Sequence, residues 1–157
     1  MSAPSPALMS ELCFVGVDVA DGEEALRLLA SASVKYGFAH ESLMEAVVLR
    51  EQKFPTGLPL PTPVAIPHAD AEHTIRPAMA ALVPTHPLTF GELGGQDRTV
   101  DAELVLMLMV TDPQEQVGLL GRLIKVLRAP DLGSSLLSDL ETPEQLASRF
   151  AQLLAPK

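Results

Sequence analysis

Apolar positions along the chain switch repeatedly between two periods. From Leu12 to Val19 they are dense and β-branched, which predicts a first strand. Asp21-Gly-Glu-Glu24 then places a side-chain acceptor three residues ahead of a glutamate, the pattern of a capping box. Ala25, Leu28, Leu29, Ala32 and Tyr36 follow at helical spacing, and Gly37 is placed to stop the helix. A second helix is predicted over 41–53, with Leu43, Ala46 and Val47 facing inward. There the pattern breaks. FPTGLPLPTPVAIP, residues 54–67, carries five prolines in fourteen positions. Proline has no amide to donate and clashes inside a helix, so this stretch is predicted as an ordered loop running into a short strand, Val64–Ile66. Ala78–Pro84 and Thr99–Val110 read as further strands. The second of these contains VDAELVLMLMV, the most apolar run, and is the candidate for the sheet centre. Leu88–Phe90 reads as a short edge piece, and GELGGQDR as a turn between strands. Asp112-Pro-Gln-Glu115 predicts another capping box with proline in the first helical position. The helix it opens would bury Val117, Leu120, Ile124 and Leu127 and end near Arg128. Leu132–Asp139 reads as a shorter helical turn. Thr142-Pro-Glu-Gln145 opens a last helix whose inner face is Leu146, Phe150 and Leu153.

Strands and helices therefore interleave, which predicts an α/β fold with a mixed sheet covered by helices. The length of 157 residues is that of one ordinary domain, and 47% apolar residues suffice for a core. The small, proline-rich start predicts a flexible arm over 1–10, with a single domain over 11–157. A net charge of −9, from 11 basic and 20 acidic residues, argues against a nucleic-acid partner, which needs clustered cations. An acidic surface instead suits a basic protein partner. The N-terminus, MSAPSPALMSEL, lacks a basic segment followed by a long apolar run. The longest apolar run, Leu104–Val110, is about a third of a membrane span. A cytoplasmic protein with no membrane insertion is expected. The single cysteine, Cys13, sits in the first strand and reads as a small buried hydrophobe.

The chemistry concentrates in TPVAIPHADAEH, residues 62–73. Pro67 fixes its own φ and keeps Ile66 extended, so His68 leaves the strand in a defined direction. That suits a group presented to a partner, and it also suits an ordinary loop histidine. His68, Asp70 and His73 form H-x-D-x-x-H, an acceptable set of zinc ligands by type but not a familiar zinc spacing. A small metal-binding domain is therefore one alternative. No G-x-S-x-G elbow and no glycine-rich nucleotide loop occurs. Arg50, ending the second helix, complements the helix dipole or offers a planar fork to a phosphate on His68. His40 and His86 read as surface residues.

Taken together, Arg50-Glu51, Phe54-Pro55-Thr56-Gly57 and Val64-Ala65-Ile66-Pro67-His68, closely followed by acidic residues, resemble the enzyme IIA domains of the bacterial sugar phosphotransferase system, mannitol/fructose class. Asp112-Pro-Gln-Glu-Gln-Val-Gly-Leu-Leu120 resembles the helix that flanks the active histidine there. FPTG together with P-Q-x-Q resembles the galactitol branch most. The similarity spans roughly residues 12–154 in element order.

The resemblance implies a five-stranded mixed sheet with helices on both faces, and a phosphoryl carrier. His68 would accept phosphate from the histidine phosphocarrier protein HPr and pass it to a cysteine on a IIB component. Arg50 and Thr56 would support the phosphate. Gln116 would stand where many members carry a second histidine; an amide donates a hydrogen bond but brings no charge. Leu60-Pro61-Thr62-Pro63 replaces the glycine pair that many members have before the A-I-P-H strand. Phosphoryl transfer needs positioning and charge stabilisation more than covalent machinery, so no cofactor and no metal are expected. A regulatory module, in which phosphorylation of His68 controls binding to a target protein without sugar transport, uses the same residues.

Overall fold

The computed structural model describes residues 6–95 and 97–155. Its first strand, β1 (Leu8–Val17), begins four residues before the predicted start, because Leu8 pairs with Met79. Leu8–Ser10 therefore belong to the sheet and not to an arm; residues 1–5 of the expected arm lie outside the described residues. Helix α1 (Gly22–Lys35) starts where the aspartate predicts: Asp21 accepts from the Glu24 amide at 2.9 Å. The return bond comes from the Ala20 amide to Glu24 Oε2, one residue earlier than a standard capping box. Its buried stripe is Ala25, Leu26, Leu29, Ala30 and Ser33, with Leu28 only half-buried and Tyr36 exposed. Helix α2 (Leu43–Lys53) buries Leu43, Val47 and Val48.

The proline-dense loop contains a strand the pattern did not reveal. β2 (Gly57–Leu58) turns back onto β3 (Val64–Ala65) as a two-pair antiparallel hairpin. Gly57 has a packing reason to be glycine, since a Cβ there would stand 2.5 Å from the Gly91 carbonyl oxygen. A turn of 3₁₀ helix, Ala71–His73, leads to β4 (Ala78–Pro84).

The predicted strand Thr99–Val110 is two strands in two sheets. β6 (Thr99–Ala102) pairs with β5 (Leu88–Gly91) as a separate antiparallel ribbon, and β7 (Leu104–Met109) enters the main sheet. The chain changes partner at Glu103, whose amide donates to the Pro63 carbonyl at 2.8 Å. Leu88–Phe90 thus belongs to the ribbon and not to the edge of the large sheet.

The main sheet has five strands in the order β1-β4-β7-β3-β2 and is mixed. β1 runs parallel to β4, β4 antiparallel to β7, β7 parallel to β3, and β3 antiparallel to β2. Period-2 alternation splits β7 between two cores. Val105, Met107 and Met109 face α1 and α2, whereas Leu104, Leu106 and Leu108 face helices α3 (Pro113–Leu127) and α4 (Pro143–Leu154). Every β7 side chain is buried, and burial of one such side chain is worth about 1.5–3 kcal/mol.

In α3, Asp112 accepts from Gln114 at 2.9 Å rather than from Glu115. Its buried stripe is Leu119, Leu123 and Leu127; Val117, expected inside, is 72% exposed, and Leu120 and Ile124 are half-buried. Both stripes are apolar in the sequence, so the pattern alone could not choose between them. Residues 133–137 form a short π-helical turn, and Thr142 and Gln145 close a reciprocal capping box on α4.

Candidate functional site

His68 is tied to the C-terminal end of the sheet's interior. β3 stops at Ala65, Pro67 cannot continue the ladder as a donor, and the Pro67 carbonyl instead accepts from the Leu108 amide at 3.1 Å. His68 then forms an isolated parallel bridge with Leu108. The backbone of the histidine is therefore clamped to the buried strand β7, and its residue exposure is only 8%.

The ring is oriented by its own chain. Nδ1 lies 2.9 Å from the Ile66 carbonyl oxygen. A carbonyl only accepts, so Nδ1 carries the proton and Nε2 keeps its lone pair. Burial pushes the imidazole pKa below its ordinary value, and the nearby Arg50 charge adds to this; the Ile66 bond and the Asp70 carboxylate oppose it. The ring is thus neutral and nucleophilic at Nε2 near neutral pH.

Arg50, in the last turn of α2, reaches the same place. Its Nη1 lies 3.7 Å from Asp70 Oδ1, and its guanidinium carbon lies 5.5 Å from the Phe54 ring centre. Its Nε is buried with no acceptor among the described residues. An unpaired buried donor is costly, and an anionic oxygen would satisfy it.

Thr56 is buried, and its hydroxyl and amide both donate to the Glu51 carboxylate at 2.8 Å. The hydroxyl proton expected for phosphate is therefore already engaged. Burial pushes Glu51 up to about 7, against the two Thr56 bonds and the Arg50 charge, which lower it. Gln116 lies in the first turn of α3, beyond the C-terminal end of β7 that also carries His68, and no hydrogen bond joins its side chain to His68. Phe54, whose ring lies by Arg50, also lines a cleft of about 710 Å³ with Lys53, Pro55 and Leu93, and neither His68 nor Arg50 lines it.

The H-x-D-x-x-H residues do not converge. His73 Nδ1 bonds the Ser42 hydroxyl at 2.8 Å, and its Nε2 lies 3.8 Å from Glu72, which docks the 3₁₀ turn onto the start of α2. Asp70 faces Arg50. Among the described residues no group of three or more His, Cys, Asp or Glu is arranged to hold a metal ion. Cys13 is buried and its thiol is pushed up to about 12, chiefly by burial, so it is inert. Among the described residues no helix is long and apolar enough to cross a membrane.

Two groups escaped the sequence reading. One is the Ile66 carbonyl, a backbone atom that no residue pattern reports. The other is Glu51, visible as the neighbour of Arg50 in the quoted motif but given no role.

Comparison with known proteins points the same way. Residues 7–152 match the family model of the phosphoenolpyruvate-dependent sugar phosphotransferase system, EIIA 2. The chain is 34% identical over 138 residues to the galactitol-specific EIIA component of Escherichia coli K12, covering 87% of this chain and 90% of that one. Among solved structures, the complex of enzyme IIA and phosphorylated enzyme IIB for mannitol from E. coli aligns with a TM-score of 0.72 at 23% identity, over 96% of this chain and 98% of that one. The nitrogen regulatory protein IIA-Ntr of Neisseria meningitidis aligns at 0.70 and 18% identity, over 94% and 96%. These structural likenesses establish the fold. With the family model matching nearly its whole length, the chain belongs to the EIIA type 2 family of the phosphoenolpyruvate-dependent sugar phosphotransferase system, as a phosphotransferase component.

Proposed function

We propose that this protein is the phosphoryl carrier of a galactitol-like sugar system, with His68 as the residue that carries the phosphate. The observation that supports this most is the Nδ1–H···O=C bond from His68 to Ile66. It leaves a neutral ring with a free lone pair on Nε2, the species needed to attack phosphorus. In the first step Nε2 bonds to the phosphorus held on the histidine of HPr, the donor P–N bond breaks, and its electron pair returns to the donor imidazole. In the second step a cysteine thiolate of the IIB component attacks phosphorus and the P–Nε2 bond breaks.

Arg50 neutralises charge on the transferred group, and its unpaired Nε supplies a donor that is empty beforehand. Gln116 offers a neutral amide donor from the facing helix. Thr56 serves by tying the loop to Glu51. The transfers need neither cofactor nor metal. Phe54, 61% exposed beside Arg50, and Val117 at the start of α3 begin an apolar rim on which both partners dock, with acidic charge further out to steer them. The galactitol-like sugar is supported by the 34% identity to a galactitol-specific EIIA component, and the protein works in the cytoplasm in this reading.

The test is incubation with phosphorylated HPr, mapping of the label, and then addition of a IIB component. Label on His68 that is lost in mild acid, kept in alkali and passed to a IIB cysteine is expected. Acid-stable label on serine or threonine would overturn the reading, and label on His68 that no IIB accepts would favour regulation instead.

A further inference from the structure

The β2–β3 hairpin stops closing at Gly57↔Ala65, three residues before His68. Its pairs Gly57↔Ala65 and Leu58↔Val64 continue to Thr56 opposite Ile66. At a hydrogen-bonded position of an antiparallel ladder, two residues exchange both N–H···O bonds. Here one is made: the Ile66 amide donates to the Thr56 carbonyl at 3.3 Å. Both groups of the return bond are taken elsewhere. The Thr56 amide donates to Glu51 Oε2 at 2.8 Å, and the Ile66 carbonyl accepts from His68 Nδ1 at 2.9 Å. Glu51 is itself held in place, because the Thr56 hydroxyl donates to its Oε1 at 2.8 Å.

The two diversions are complementary. A Thr56 amide released from Glu51 stands opposite the Ile66 carbonyl and can close the ladder there, competing with the imidazole for the same oxygen. We infer that Glu51 is a positioning residue for His68: by capturing the Thr56 amide it reserves the Ile66 carbonyl for Nδ1–H, and so fixes the ring with its lone pair on Nε2. This rests on the reading of His68 as the phosphoryl acceptor. A second observation supports it. A carboxylate in the last turn of a helix opposes the dipole, and burial raises its pKa, so Glu51 is placed against its local preferences. It is kept there by bonds to one residue, Thr56. Gly57 assists, since its lack of a side chain lets this strand pass close to Gly91.

The test reads the His68 ring by ¹⁵N NMR at mildly alkaline pH, in the free protein and in the variants Glu51→Gln and Glu51→Ala, without any phosphoryl donor. The free protein and Glu51→Gln should hold the proton on Nδ1, because glutamine keeps an oxygen for the Thr56 amide. Glu51→Ala should shift population toward Nε2–H, and its phosphorylation should slow about tenfold, a barrier change of about 1.4 kcal/mol. A folded Glu51→Ala protein with the Nδ1–H tautomer undiminished overturns the inference, even if phosphorylation slows. Should Glu51→Ala not fold, the unaltered protein decides. Scalar coupling across hydrogen bonds should link the Ile66 nitrogen to the Thr56 carbonyl carbon, and a coupling from the Thr56 nitrogen to the Ile66 carbonyl carbon overturns the inference. None of these ring or coupling readouts needs His68 to be phosphorylated, so failure of the carrier reading shows separately, as absence of label on His68.

Discussion

The centre of the sheet and its β2–β3 edge are built on opposite principles. Between β4 and β7 five successive register pairs run from Ala78↔Met109 to Leu82↔Val105. The side chains of β7 and the first five of β4 are buried. All the hydrogen-bonding capacity of such a ladder is spent on itself, so it holds the molecule together and leaves nothing over. The edge hairpin has two pairs and then diverts its next amide to Glu51 and its next carbonyl to His68. The proposed site sits where the ladder is incomplete, because there the Ile66 carbonyl is free to orient the His68 imidazole. The complete ladder supplies the rigidity: His68 is bridged to Leu108 of β7.

This contrast can be broken from either side. His68→Ala should abolish acceptance of phosphate while the fold survives, since no neighbouring group replaces the nucleophile; label transfer and circular dichroism check both halves. Leu106→Ala, in the centre, should cost about 2–5 kcal/mol of stability as a core truncation, measured by denaturant unfolding, while the remaining folded protein still accepts label. Arg50→Ala should slow phosphorylation tenfold or more, about 1.4 kcal/mol of barrier, and leave stability nearly unchanged; lysine should restore only part of the rate because it lacks the planar fork.

Glu51 links the regions through pH. Its folded pKa is raised to about 7 from an ordinary value of 4.5, so between these values the folded state binds more protons than the unfolded state. Stability from this group is present at low pH and is lost as pH rises through 7. His68, with a lowered pKa, has the opposite sign, and its contribution is lost as pH falls below its unfolded value. Glu51→Gln should therefore gain stability relative to the unaltered protein on the alkaline side and not on the acid side, as read from paired unfolding curves. The smallest effect belongs to His73→Ala, which loses an exposed bond to Ser42 and a long contact to Glu72, together worth at most about 0.5–1.5 kcal/mol. Its phosphorylation should stay intact.

The same contrast explains what the sequence disclosed. Leu104–Met109 is legible because a strand buried on both faces must be apolar throughout. His68 is legible because proline on one side and acids on the other are unusual around a histidine. The break at Glu103 left no local trace: Val100, Ala102 and Leu104 continue the same alternation, and only the strand pairing, β6 with β5 but β7 with β4 and β3, shows that the chain changes sheets. β2 was hidden because two residues between prolines carry no period. The buried face of α3 was ambiguous because the helix offers two apolar stripes. Arg50 was legible as a charge in a motif. The Ile66 carbonyl was not, since every residue has one and only the fold decides which is left unpaired.

The measurement that bears most directly on the account is the identity of the phosphorylated atom. After reaction with phosphorylated HPr, the ring nitrogens of a ¹⁵N-labelled protein can be assigned by their coupling to phosphorus. Phosphorus on Nε2 of His68, with Nδ1 still protonated, is the expected result. Phosphorus on Nδ1 of His68 would contradict the orientation by Ile66, and phosphorus on any other residue would contradict the site.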